Sequence, residues 1–234
     1  MNESIRFELQ DEVAVIHLDD GKANALTPGT LTALTSALAR AREEASAVVL
    51  VGRPGRFSAG FDLKIMGSGA DAATALVKTG CDFFMGLYAH PQPVVAACTG
   101  HAIAGGAALL LCSDHRVGTE GDFSIGFNEV KIGLPMPVFI SELARERLAR
   151  TSLCGATLLA RTFSPAEALV AGFLDEVTAP DDLLATSITR AKALARLPAN
   201  AYASTKRSLR GPLISHVRAT LEDDMARVID DGSL

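Results

Sequence analysis

The sequence predicts an α/β fold that ends in a helical C-terminal region. Short apolar runs typical of buried strands alternate with longer segments of helical apolar spacing up to about residue 136. From Pro137 onward the pattern is almost entirely helical. Two glycine-containing stretches, at residues 56–63 and 100–107, interrupt the alternating part. Strands that alternate with helices indicate a layered α/β core.

The N-terminal half supplies most of the predicted strands. Apolar runs at 5–9 and 13–18 flank Gln10, Asp11 and Glu12, which predicts an antiparallel hairpin. Leu31, Leu34 and Leu38 have helical spacing within 28–45. Residues 52–61 are rich in turn formers, and 123–132 is predicted as an extended segment and loop. The remaining predicted elements are strands at 47–51, 94–98 and 115–117 and helices at 70–88 and 105–112.

The C-terminal part is predicted as a series of helices with one strand at 173–177. In the last helix, apolar residues recur every three or four positions, so one face packs on the body or on another subunit. Two domains are therefore expected, at 1–197 and at 198–234. The predicted helices are 138–148, 153–160, 165–171, 181–197, 199–209 and 212–229.

Composition excludes several classes of protein. Hydrophobic residues make up 48% and charged residues 21%, which is typical of a folded globular chain. The net charge is -5 and the basic residues are scattered, so we expect no nucleic-acid partner. The N-terminus lacks the apolar core of a signal peptide, and glycines and a histidine interrupt the uncharged segment 94–112. We expect a cytoplasmic protein without a membrane span.

The two glycine stretches predict a pair of backbone hydrogen-bond donors. The first N–H groups of a helix lack partners within the helix, so the Gly105 N–H is expected to face an oxygen atom. A second donor at Phe61, after Ala59 and Gly60, would complete an oxyanion hole. The alternative for each stretch taken alone is a tight turn without a ligand.

Glu129 is the candidate for proton transfer. Phe127, Val130 and Ile132 surround it in the sequence, and desolvation there would raise its pKa toward the range useful for an acid/base catalyst. The alternative is a solvated or arginine-paired surface carboxylate.

Other motifs are excluded by specific residues. Gly106 and Ala107 stand where a phosphate loop needs lysine and serine or threonine. No G-x-G-x-x-G motif follows the first strand, and no histidine or cysteine spacing is typical of a metal site, so no metal is expected.

These segments together resemble the crotonase (enoyl-CoA hydratase/isomerase) superfamily from about Ile5 to about Leu221. The resemblance implies an α/β fold with a crotonase-type spiral of ββα turns, a C-terminal helical region that acts in trimerisation or as a lid, and a homotrimer or dimer of trimers. It also implies a role in fatty acid metabolism. The matching segments, in the family's order, are 24–26, 57–63, 93–106, 113–116, 126–129, 164–168 and 172–177.

The resemblance also implies the ligand and its site. Glu129, Phe61 and Gly105 would be the catalytic groups, the latter two through their backbone N–H groups to the carbonyl oxygen of an acyl-CoA thioester. Lys22, Lys64 or the pair at 206–207 would meet the phosphates. Coenzyme A is part of the substrate, so no separate cofactor is expected. The residues expected to bind substrate are Ala23, Ala25, Ala59, Gly60, Asp62, Leu63 and Gly106.

One departure from the family pattern bears on the reaction. Hydratases of the family carry two glutamates, and here the first of those positions is Ala108. A single glutamate is similar to the enoyl-CoA isomerases, in which one base takes a proton from C2 of a 3-enoyl-CoA and returns it at C4. We therefore predict an isomerase. An enoyl-CoA hydratase, which is a lyase, and a non-catalytic acyl-CoA-binding protein remain alternatives.

Overall fold

Strands precede a helix in each successive turn of the chain in the computed structural model, which describes residues 4–231. In the three turns between Ala47 and Gly126, the first strand enters a six-stranded sheet and the next strand enters a four-stranded one. The strands are β1 (Ile5–Gln10), β2 (Val13–Leu18), β3 (Ala25–Leu26), β4 (Ala47–Val51), β5 (Gly55–Ser58), β6 (Gly60–Phe61), β7 (Val94–Cys98), β8 (Gly100–Ile103), β9 (His115–Thr119), β10 (Ile125–Gly126), β11 (Thr162–Phe163) and β12 (Glu176–Thr178).

Helices cover the sheets and make up most of the C-terminal part. Short 3₁₀ segments occur at Val130–Ile132 and Pro180–Asp182. The helices are α1 (Pro28–Glu44), α2 (Leu63–Met66), α3 (Ala70–Tyr88), α4 (Gly105–Cys112), α5 (Val138–Arg147), α6 (Arg150–Ala156), α7 (Pro165–Ala171), α8 (Leu183–Ala195) and α9 (Ala199–Asp231). No helix within 4–231 combines the length and the hydropathy that crossing a bilayer requires.

The large sheet has the strand order β1-β2-β4-β7-β9-β12. The predicted hairpin is confirmed, with Gln10 opposite Val13, and the other pairings in this sheet are parallel. All residues of β4 and β7 are buried, as expected for central parallel strands covered on both faces. Helix α8 packs on the face that carries Val49 and Val95, while Leu50 on the other face joins the main core.

A smaller sheet positions the candidate site. Its order is β11-β10-β8-β5, and β5, β8 and β10 run parallel. These strands lie in segments that the sequence predicts only as turn-rich or extended. Each has two to four residues and includes glycine, so an alternating apolar pattern is too short to be recognised.

The C-terminal helix differs from the prediction. Residues 199–209 and 212–229 are expected as two helices, but α9 is continuous and contains Pro212. A proline inside a helix costs roughly 3 kcal/mol, so tertiary contacts must compensate. Lys206 and Arg210 both pair with Asp114, at 2.7 and 2.8 Å, and Val217 and Met225 are buried in the main core.

Two other predicted elements are displaced. The helix expected at 153–160 lies at Arg150–Ala156, and the chain then turns at Ala160, which has a φ of 47°. The strand expected at 173–177 begins only at Glu176, because the amides of Phe173 and Leu174 donate to Ala168 O in the turn that follows α7. The domain boundary after residue 197 stays a prediction.

Candidate active site

The three predicted site segments follow three neighbouring parallel strands and lie at the same edge of the small sheet. Ala102 of β8 pairs with Ser58 of β5 on one side and with Ile125 of β10 on the other. Because parallel strands end on the same side of a sheet, the residues that follow them emerge together. The segment after β5 leads to Phe61, the segment after β8 to Gly105, and the segment after β10 to Glu129. The strand pairing thus joins residues that are distant in the sequence.

The first predicted donor lies on β6, which pairs in parallel with β3. The Asp62 N–H donates to Leu26 O at 3.2 Å. Successive amides along a strand point to opposite sides, so the Phe61 N–H points away from β3. This orientation leaves the Phe61 N–H available to a ligand.

The second predicted donor lies at the start of α4. The first hydrogen bond of this helix joins Ala108 N to Ala104 O at 3.0 Å, so the Gly105 N–H is outside the helical pattern. Ala104 itself has a φ of 54° and a ψ of -121°, a conformation that residues with a Cβ rarely adopt. Its own N–H donates to Gly126 O at 3.0 Å, which holds this sharp turn against β10. Strain of this kind is often found where a backbone group must be aimed at a ligand.

Glu129 is buried, with a relative exposure of 6%, and its Oε2 is a buried oxygen without a hydrogen-bond partner among the described residues. Burial raises the pKa of its carboxyl group to about 7, although the backbone amides of Glu129 and Asn128 partly oppose this shift. The alternatives of a solvated or an arginine-paired carboxylate are therefore wrong. A carboxyl group with this pKa can both accept and donate a proton near neutral pH.

Phe61, Ala104 and Glu129 line a single cavity. Within residues 4–231, Asn128 and Glu129 are its polar lining side chains, and the other lining side chains are apolar. Ala108 is not among them, since it is fully buried within α4. Sequence reasoning did not single out Asn128 by itself, and its position beside Glu129 was the available signal.

A surface groove joins this cavity. Ala23, Ala25 and Asp62 line the groove, and Ala59, Phe61 and Leu63 line both the groove and the cavity. The groove therefore contains five of the seven residues that the sequence predicts as substrate-binding. It opens onto the cavity at the segment between β5 and α2.

The other two predicted binding residues, Gly60 and Gly106, lie beneath the groove rather than in its lining. A Cβ atom on Gly106 would collide with the carbonyl group of Ser58, so this glycine permits close packing of α4 on β5. Gly60, with a φ of 83°, has the same role against the Gly105 backbone. These two glycines shape the backbone beneath the groove and do not line it. A sequence motif does not distinguish this role from direct contact with a ligand.

Asn24 ties the two walls of the groove together. Its side-chain amide donates to Leu18 O and Arg56 O at 2.8 and 3.1 Å, and the Ser58 hydroxyl donates to Asn24 O at 2.7 Å. Asn24 is 3% exposed and has a φ of 53°. It therefore fixes Ala23 and Ala25 beside Ala59.

The basic residues near the groove differ in part from the prediction. Lys22 and Lys64 line it, and Lys22 also lines an adjoining depression with Arg53 and Arg56. The two arginines were not predicted from the sequence. The prediction that Lys206 binds a phosphate group is wrong for this chain. Its ammonium group is buried and paired with Asp114, and burial lowers its pKa to about 8.

Comparisons with known proteins place these features in a wider context. A model described as enoyl-CoA hydratase/isomerase matches residues 8–228. The chain is 32% identical over 176 residues to mitochondrial enoyl-CoA delta isomerase 1 of Mus musculus, which covers 73% of this chain and 61% of the mouse protein. It is 32% identical over 225 residues to a probable enoyl-CoA hydratase of Rhodobacter capsulatus, which covers 93% and 85% of the two chains.

Among solved structures, an enoyl-CoA hydratase/isomerase family protein from Pseudomonas syringae is 39% identical with a TM-score of 0.94. The match covers 96% of this chain and 98% of that one. The crotonase-type α/β fold with a C-terminal helical region, expected from the sequence, is thereby confirmed.

Proposed function

Because the chain belongs to the enoyl-CoA hydratase/isomerase family and is an enzyme of that kind, we propose that it shifts the double bond of a 3-enoyl-CoA to the 2-position. Glu129 removes a proton from C2, and the electron pair left on C2 delocalises into the thioester carbonyl and, by conjugation, over the C3–C4 double bond. The resulting dienolate oxygen accepts hydrogen bonds from the N–H groups of Phe61 and Gly105. Protonation at C4 by Glu129 then forms the conjugated product, and the carboxylate is regenerated.

The observation that carries this proposal is the cavity lining. Glu129 is the one ionisable side chain among the described residues that line the cavity, and Asn128 is the one other polar side chain. Moving a proton between two carbons needs a single base. Adding water also needs a group that positions and activates the water, and Ala108 supplies none. An apolar lining offers few hydrogen-bond partners to such a water, which favours transfer of the same proton.

The oxyanion hole explains how a carboxylate can remove a carbon-bound proton. Backbone donors in a dry site stabilise the charge that develops on the thioester oxygen, and removal of one such donor typically costs about 3 to 4 kcal/mol of transition-state stabilisation. The strained Ala104 turn and the parallel strands hold both donors in place before the substrate arrives. The free energy needed to orient these two donors is therefore supplied by folding, and the reaction itself does not have to supply it.

Water addition to a 2-enoyl-CoA is the second candidate, because the Rhodobacter capsulatus relative is named a probable hydratase. Asn128 is the residue that would hold the water in that case. Non-catalytic binding of an acyl-CoA is the third. All three use the same groove and cavity.

An ultraviolet assay separates these functions. Purified protein is supplied with matched 3-enoyl-CoA and 2-enoyl-CoA substrates. Conjugation that appears from the first supports isomerisation, and conjugation that disappears from the second supports hydration. Binding of both thioesters without turnover would contradict both enzymatic proposals.

We further propose that the groove holds coenzyme A, with the pantetheine between the Ala23–Ala25 and Ala59–Leu63 segments. Lys22, Lys64 and Arg56 are exposed basic residues around it and would contact the phosphates. Coenzyme A enters as part of the substrate, and no further cofactor is proposed.

A homotrimer or dimer of trimers is also part of the proposal. Leu158, Leu159 and Val170 are 70%, 73% and 78% exposed in the single chain. Contact with a second copy of the chain would remove the apolar surface of these side chains from water, which is favourable. Light scattering on the purified protein tests the assembly, and a monomeric mass would contradict it.

A further inference from the structure

Gly80 occupies an interior position of α3, where glycine is less favourable than alanine. A Cβ atom at Gly80 would come closer than 3.0 Å to ring atoms Cζ and Cε1 of Phe61. Gly86, in the same helix, would meet no atom within 4 Å. Gly80 therefore forms a notch that receives the far edge of the Phe61 ring.

The Phe61 ring is confined on the side opposite the cavity. Its edge meets Phe84 with the ring centroids 6.1 Å apart, and Phe84 in turn stacks on Phe139 at 5.4 Å. Phe84 is fully buried and Phe139 is 1% exposed, so neither has room to withdraw. The open side of the Phe61 ring is the cavity that it lines.

The same ring stands where the groove meets the cavity. Phe61 lines both, and the cavity continues from it past Met66 and Val77 to Ile140 and Val228. A thioester whose carbonyl lies at the Phe61 N–H must extend its acyl chain along this apolar wall. The position of the ring therefore determines how much width remains for the chain.

We propose that the seating of Phe61 in the Gly80 notch is a specificity determinant, because the position of the ring sets the width of the acyl path and so the length of the unbranched chain that is accepted. This inference rests on the proposed function. Because the atoms that a Gly80 Cβ would meet are the far end of a side chain, the ring rather than the backbone moves when the notch is filled. The ring then enters the cavity and obstructs the distal part of a long chain, while a short chain still fits.

The test compares Gly80→Ala, Phe61→Leu, the double variant and Gly86→Ala, which adds the same methyl group in open space. The measured quantity is the ratio of kcat/KM for 3-dodecenoyl-CoA to that for 3-hexenoyl-CoA. Gly80→Ala is expected to lower this ratio roughly tenfold or more, because one methylene group in an apolar pocket changes the discrimination between substrates by roughly this factor. Phe61→Leu in the same chain restores the ratio, and Gly86→Ala leaves it at the wild-type value.

An equal loss on both substrates, or a Gly80→Ala ratio equal to that of Gly86→Ala, would overturn the inference. If Gly80→Ala does not fold, Phe61→Leu alone decides, because a smaller side chain must raise the wild-type ratio. Binding of saturated dodecanoyl-CoA and hexanoyl-CoA, measured by calorimetry on the same variants, gives the same ratio without turnover. If the variants show the expected binding ratios but the wild type does not isomerise a 3-enoyl-CoA, the proposed reaction is contradicted and the notch inference remains supported.

Discussion

Gly60 lies against the amide nitrogen of Gly105, so closely that a Cβ atom on Gly60 would stand 2.8 Å from that nitrogen. The same Cβ would stand 2.9 Å from the Ala104 Cβ and 3.0 Å from Ile103 O. The two chain segments that carry the proposed oxyanion donors are thus in backbone contact. Their spacing depends on the absence of a side chain at one position.

Gly60→Ala is therefore expected to separate the two donors. The new methyl group collides with backbone atoms, and the φ of 83° is unfavourable for alanine. Loss of one aligned donor predicts a decrease in kcat of roughly 10²- to 10³-fold. Gly21→Ala is the matched control, because Gly21 has a φ of 72° and open space around it. An equal loss of kcat in both variants would show that backbone strain alone is responsible.

Glu129→Gln is expected to abolish most turnover and to preserve binding. Glutamine has nearly the same shape but cannot take a proton, and a positioned acid/base group typically contributes roughly 10²- to 10⁴-fold. Turnover is measured with the 3-enoyl-CoA, and the Kd of a saturated acyl-CoA by calorimetry. Glu120→Gln, at an exposed position, is the control. Unchanged turnover in Glu129→Gln would reject Glu129 as the base.

The pH profile should report the buried carboxyl group. Burial raises the pKa of Glu129 to about 7, and only the deprotonated form removes the C2 proton. We expect kcat/KM to rise with pH and to level off above about 7, with an acidic limb of about one decade per pH unit. A plateau that extends down to pH values near the ordinary glutamate pKa of 4.5 would contradict the burial of this group.

Stability should depend on pH in the opposite sense. Because the folded-state pKa of Glu129 is raised, the native chain holds a proton that the unfolded chain has lost between about 4.5 and about 7. Stability is therefore lost as pH rises through this window, by about 3 kcal/mol at one pKa unit per 1.36 kcal/mol. Glu129→Gln removes this effect. In chemical unfolding, the free energy of unfolding of the variant should therefore rise relative to that of the wild type from pH 5 to pH 8. A constant difference across that range would be inconsistent with the raised pKa.

The basic residues beside the groove should affect binding rather than chemistry. Lys22→Ala combined with Arg56→Ala is expected to raise KM for the CoA thioester roughly 2- to 10-fold, since exposed charge pairs contribute modestly. kcat and the KM for a pantetheine thioester, which lacks the nucleotide phosphates, should not change. Arg196→Ala is the control, because Arg196 is exposed and follows α8, on the face of the large sheet away from the main core. Equal effects on both thioesters would reject a role in phosphate binding.

The predicted elements differ in how well local patterns foretold them. The strands Ala47–Val51 and Val94–Cys98 and the helix Ala70–Tyr88 agree with the prediction at every boundary, because each has at least five residues of one periodicity. The short strands of the small sheet carry too few residues for a pattern. Pro212 falls inside α9 because contacts of Lys206 and Arg210 with Asp114 outweigh a local preference.

By itself, the sequence determined the α/β alternation, the family and the identity of the candidate residues Phe61, Gly105 and Glu129, since each is written in a local motif. Only the tertiary structure decided that Phe61, Glu129 and Ala104, the residue before Gly105, line one cavity, that Glu129 is buried with a raised pKa, and that Gly80 makes room for Phe61. Desolvation and steric fit depend on atoms contributed by α2, α3, α5 and α9, which no short segment of the chain contains.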